Sequence, residues 1–102
     1  MDMSVSNQPE RERYEITADG EPAGFVQYRE RPGLVAMVHT EVDPRFEGQG
    51  VGSTLIRSAL DDARARGLAV LPFCPFVNAY IERHPDDYAD LVPEAFRAKF
   101  GL

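Results

Sequence analysis

A mixed α/β fold is what this sequence predicts: a mostly antiparallel sheet, one long helix behind a glycine-rich loop, and short C-terminal helices. Three observations carry that prediction. Extended segments between residues 11 and 42 are separated by turn sequences. Glycines at 48, 50 and 52 lead into an amphipathic stretch. Prolines at 75, 85 and 93 stand where short helical segments open. At 102 residues, 43% hydrophobic and 27% charged, the chain has the size and composition of one domain.

Met1 to Gln8 is polar and without a clear pattern, and is expected to be a loose tail, with the domain running from 9 to 102. Arg11 to Thr17 reads as a first strand. Asp19-Gly20 accepts the positive φ of a tight hairpin turn, and Gly24 to Arg29 returns as the second strand. After Arg31-Pro32-Gly33, the segment Leu34 to Val42 alternates. Strict alternation puts Val35, Met37, His39 and Glu41 on one face and Leu34, Ala36, Val38, Thr40 and Val42 on the other. Pro44 and the glycines end this strand, and a helix is expected from about Gly50. Val51, Leu55 and Ala59, with Ile56, Leu60 and Ala63, form its apolar face, and Gly67 stops it. Leu68 to Phe73 is a short apolar run that suits a covered strand running parallel beside residues 34 to 42. Pro75 opens a helix with an apolar face of Phe76, Val77, Tyr80 and Ile81. Asp86-Asp87 and Pro93-Glu94 open two further short segments.

Composition excludes several classes of function. Eleven basic against seventeen acidic side chains give a net charge of −6, which disfavours a nucleic-acid surface, because such binding runs on phosphate neutralisation. No apolar run approaches the roughly 20 residues needed to span a bilayer, so no membrane partner is expected. The single cysteine, Cys74, excludes an internal disulfide. With only His39 and His84 beside it, a structural metal site is not expected, and a reducing, cytoplasmic setting is.

The most informative stretch runs from Val42 to Ser53 and joins a strand to a helix through glycines. Glycines let successive backbone N–H groups converge on phosphate oxygens, and the helix that follows presents its positive end to the same point. The alternative is a plain strand-to-helix turn. A dinucleotide fingerprint would need glycine at 53 or 55, where Ser53 and Leu55 stand, and a nucleotide P-loop would need a lysine that does not occur before Lys99.

These residues resemble the GCN5-related N-acetyltransferases, whose pattern Q/R-x-x-G-x-G/A lies between a strand and a helix. Here Glu47-Gly48-Gln49-Gly50-Val51-Gly52 fills it, with Glu in the first place. The very small members are resembled more specifically by His39-Thr40-Glu41-Val42, Ala63 to Gly67, Pro72 to Val77 and Tyr80 to Pro85. The resemblance implies a minimal form of that fold and acetyl-CoA as co-substrate. It also implies transfer of an acetyl group to an amine, on a small molecule or a protein. Cofactor contacts would fall to Thr40, Val42, Glu47, Gly48, Gln49, Gly50, Val51, Gly52, Ser53 and Asn78. Larger members carry helices between the first two strands, which Asp19-Gly20 replaces here, so the acceptor groove is expected to be truncated. A second copy of the chain is one means of completing it. The competing reading is a non-catalytic module that binds coenzyme A or acetyl-CoA.

Four side chains are candidates for the chemistry. His39 is the natural general base near neutral pH, or else an interior hydrogen-bonded histidine. Glu41 can act through a water, or simply stand exposed at the edge. Cys74, before a helix start, is either a thiol for acyl chemistry, as nucleophile or proton donor, or a small core residue. Tyr80 resembles the family's acid for the departing thiol, and equally belongs to the apolar stripe of its helix.

Overall fold

The computed structural model describes residues 1–102. Five strands follow in chain order across one sheet: β1 (Met3–Gln8), β2 (Arg13–Ala18), β3 (Glu21–Arg31), β4 (Leu34–Val42) and β5 (Ala69–Pro72). The first four are antiparallel, and β5 returns parallel to β4. The hairpin between β2 and β3 turns where expected, with Asp19 at φ 51° and Gly20 at φ 81°, a conformation that suits the twist of the two strands.

Helix α1 (Val51–Ala65) and helix α2 (Pro75–Arg83) cover one face of the sheet, followed by the short helices α3 (Pro85–Tyr88) and α4 (Glu94–Arg97). The apolar stripe of α1 is buried as its spacing predicts: Val51, Leu55, Ile56, Ala59, Leu60 and Ala63 are at most 1% exposed. Burial stabilises each of the large aliphatic side chains by about 1.5–3 kcal/mol relative to water. These residues join alternate residues of β2, β3 and β4, together with Val77 and Ile81 of α2, in one core of 22 side chains. No helix is long and apolar enough to cross a membrane.

Two differences from the sequence reading matter. The expected tail is instead the edge strand β1, paired residue for residue with β2 from Met3 opposite Ala18 to Gln8 opposite Arg13. Its start is held by Asp19 N–H donating to Asp2 O at 2.7 Å and Asp2 N–H to Asp19 Oδ1 at 2.8 Å. Near its end, Tyr28 Oη donates to Asn7 Oδ1 at 2.6 Å. Met3 and Val5 do alternate with Ser4 and Ser6, but two apolar residues are too few to announce a strand without the neighbour that pairs with it.

The second difference lies in β4. Gln27 of β3 stands opposite His39, whereas Tyr28 stands opposite Met37, so Val38 is an extra, bulged residue. A bulge shifts the alternation by one residue. His39 and Glu41 therefore do not share a face with Val35 and Met37, as strict alternation predicts. They lie on the uncovered face of the sheet, and Thr40 and Val42 turn toward the helices.

Candidate active site

Beyond Met37 the two parallel strands separate. Cys74 N–H still donates to Met37 O at 2.9 Å, but the chain then enters α2, and β4 continues alone to Val42. Asp43 N–H donates to Ala23 O at 2.8 Å. Hydrogen-bonded residues alternate along an antiparallel pair. Glu41 and His39 therefore direct their backbone groups at β3, leaving those of Thr40 and Val42 directed into the gap where β5 has ended.

The loop that follows is shaped by its own residues. Asp43 caps a 3-10 turn over Pro44–Phe46 by accepting from Arg45 N–H at 2.9 Å, and it holds the Arg45 guanidinium at 3.2 and 3.1 Å. Those hydrogen bonds lower the Asp43 pKa below the usual carboxylate value. Arg45, the one basic side chain of the loop, also lies over the Phe46 ring and pairs with Glu21 of β3 at 3.6 Å, and is thus already partnered within the protein. Gly48 and Gly50 then take φ of 78° and 81°, the left-handed region that glycine enters without steric cost.

Gly50 begins α1 without a side-chain cap, and the first intrahelical bond is Thr54 N–H to Gly50 O at 3.0 Å. The N–H groups of Gly48, Gly50, Val51, Gly52 and Ser53 have no acceptor within the protein. Beside them is a cleft of about 420 Å³, walled by Thr40, Val42, Phe46, Val51, Ser53 and Phe76, with Glu47 and three of the glycines at its floor and rim. A Cβ on Gly52 would lie 2.6 Å from Phe76 Cζ. Close approach of backbone, unpartnered amides and a positive helix end together form a cradle that fits a pyrophosphate.

The structure brings together eight of the ten expected cofactor residues, Thr40, Val42, Glu47, Gly48, Gly50, Val51, Gly52 and Ser53, around this cleft. It does not bring in the other two. Gln49 donates to Arg45 O at 3.2 Å, and Asn78 to Phe100 O at 2.9 Å.

The four catalytic candidates are dispersed. Cys74 is buried at the N-terminus of α2, with Sγ 3.2 Å from Thr40 Oγ1, one contact from the cleft. His39 and Glu41 form a pair, Nε2 to Oε2 at 2.9 Å, on the open face, 55% and 61% exposed. Tyr80 is buried with its ring against His84 and Tyr88, outside the cleft. Phe76, expected in the apolar face of its helix with Val77, Tyr80 and Ile81, instead lines the cleft and is 41% exposed, and Phe46 lines it too without having been expected there.

A second cleft of about 420 Å³ lies on the open face, where Phe25, Glu41, Pro22 and Pro44 meet Arg13 and Glu15. Sequence reasoning missed it, because it depends on which face Glu41 takes after the bulge.

A family model described as GCN5-related N-acetyl-transferase matches residues 13–91. No match was found among curated proteins. Among solved structures, the chain resembles the ribosomal-protein-S18-alanine N-acetyltransferase from Escherichia coli, with 28% identity and a TM-score of 0.56 over 62% of this chain and 42% of that one. The chain thus spans less than half the length of that enzyme. The solution structure of a GCN5-like protein from Staphylococcus aureus shares the fold more completely, at 23% identity and a TM-score of 0.67 over 88% of this chain and 87% of that one. With most of its residues matched, the chain belongs to the GCN5-related N-acetyl-transferase family.

Proposed function

We propose that this protein transfers an acetyl group from acetyl-CoA to an amine. The observation that carries the reading is the run of unpartnered amides at Gly48 and Gly50 to Ser53, next to a strand whose backbone at Thr40 and Val42 faces the same gap. The amides would hold the pyrophosphate, and the β4 backbone would extend a strand-like ladder to the arm beyond it. Acetyl-CoA, when bound, supplies the thioester carbonyl and the thiol leaving group.

The protein's own residues supply proton handling. A carboxylate accepts only, so the Glu41 contact selects the neutral imidazole tautomer with the hydrogen on Nε2, and in that form Nδ1 keeps its lone pair. His39 Nδ1 then takes the proton that the incoming amine must lose, and Glu41 steadies the imidazolium. On the other side of β4, the Cys74 thiol, 3.2 Å from Thr40 Oγ1, would give its proton to the departing sulfur. The division of roles follows the strand: cofactor on the helix face, acceptor on the open face, and the gap beside Thr40 joining them.

Release of free coenzyme A thiol from acetyl-CoA, followed with a panel of amines, tests the reading. The expected result is amine-dependent release above the uncatalysed rate, with His39→Ala lowering kcat by about 10²-fold, the usual size of a general-base contribution. Saturable binding of acetyl-CoA without release, unaffected by His39→Ala, would instead support the non-catalytic module.

A further inference from the structure

The open-face cleft has two electrically distinct ends. Glu15 of β2 stands opposite Phe25 of β3, which stands opposite Glu41 of β4. One step along, Arg13 stands opposite Gln27, which stands opposite His39. The β2 and β4 rows are two strand spacings apart, about 10 Å. At the β2 end two guanidiniums share one carboxylate: Arg11 Nη1 at 2.9 Å and Arg13 Nε at 2.6 Å from Glu15 Oε2. Arg13 uses only Nε in that bond, and both of its Nη groups are left with donors to spare. At the β4 end, Glu41 has only His39 as partner, and Asp43 is taken up by Arg45. One end is therefore net positive and the other net negative. Between them lies the Phe25 ring, with the Arg13 guanidinium over it at 4.5 Å and the His39 ring at 6.1 Å.

We propose that the acceptor is zwitterionic, with its amine at the His39–Glu41 end, a carboxylate at the Arg11–Arg13 end and an apolar spacer across Phe25. The proposal rests on the acetyl-transfer reading above and specifies its substrate class. Guanidinium groups suit the second site because their planar donors match a carboxylate in two parallel bonds. A plain alkylamine would fill only half of the cleft and leave the Arg13 donors to water. A diamine would place a second positive charge against the two arginines.

The test compares two acceptors of equal carbon count, ε-aminocaproate and n-hexylamine, under saturating acetyl-CoA. The expected KM for ε-aminocaproate is lower by at least about tenfold. Arg13→Gln and Arg11→Gln should each raise that KM and narrow the difference. Calorimetry on the coenzyme A-loaded protein reads the same site without turnover, and there ε-aminocaproate should bind more tightly than n-hexylamine. Equal KM values in the wild type, or a preference that survives both arginine substitutions, overturn the proposal and leave acetyl transfer standing. No thiol release with any amine removes the acetyl-transfer reading and this inference with it.

Discussion

A methyl group at position 24 would lie 2.5 Å from the Glu41 carbonyl oxygen and 3.3 Å from the Val42 Cα, both backbone atoms of β4. Gly24 therefore lets β3 and β4 approach closely where β4 separates the two clefts. Gly24→Ala should force the strands apart and lower stability by about 1–3 kcal/mol, the range for overpacking, as measured by denaturant unfolding. An unchanged unfolding midpoint would show that the strands can give at no cost. Gly52 differs in kind, because its added methyl would meet the tip of the Phe76 ring, which can swing. Of the two, only Gly52 belongs to the glycine pattern that the sequence displays. Gly24 was legible as part of a strand and not as a point of contact, since its neighbour lies 17 positions away in the chain.

Among the elements, α1 was the most legible, because its apolar residues recur at helical spacing and bury themselves as that spacing requires. In β4 the same logic failed at one residue. Val38 is an ordinary β-branched strand former, and nothing in the sequence marks it as bulged. The slip is imposed by pairing with β3, and it carries His39 and Glu41 to the open face. The C-terminal segment buries Tyr88, Leu91 and Val92 in the common core and adds polar contacts to α1: Arg64 reaches both Asp90 carboxylate oxygens, at 2.8 and 2.9 Å, and Tyr88 Oη donates to Asp61 at 2.8 Å. The hydrogen bonds from Arg64, aided by its charge, hold the Asp90 carboxyl below the ordinary value. A carboxyl with a lowered folded pKa stabilises the fold above its unfolded pKa of about 3.9, and the contribution is lost as pH falls through the folded value. Asp90 is largely exposed, so the contribution should stay below about 1 kcal/mol. Thermal unfolding should find Asp90→Asn slightly less stable than the wild type at pH about 7 and equal to it at pH about 2. A difference that persists undiminished in acid would place the effect outside this ion pair.

At the scale of the whole molecule, the division of labour follows from one strand with a different cleft on each side. The cleft proposed for the cofactor was legible between Thr40 and Ser53, because it is built from residues close in sequence whose chemistry is largely backbone. The open-face cleft proposed for the acceptor was not, because Arg13, Phe25 and Glu41 come from three strands and meet only once the register is set. The Asp19-Gly20 turn joins β2 directly to β3, and the face of the sheet away from the helices stays uncovered, so the cleft proposed for the acceptor is open. Glu47 is the one charged side chain lining the proposed cofactor cradle, where the anion would be met by amides and a helix end rather than by basic side chains. Backbone amide resonances report on that contact residue by residue. On titration with acetyl-CoA, the largest shifts should fall on the amides of Thr40, Val42, Gly48 and Gly50 to Ser53, with smaller changes at Cys74. Shifts confined to other surfaces, or none at saturating acetyl-CoA, would contradict it.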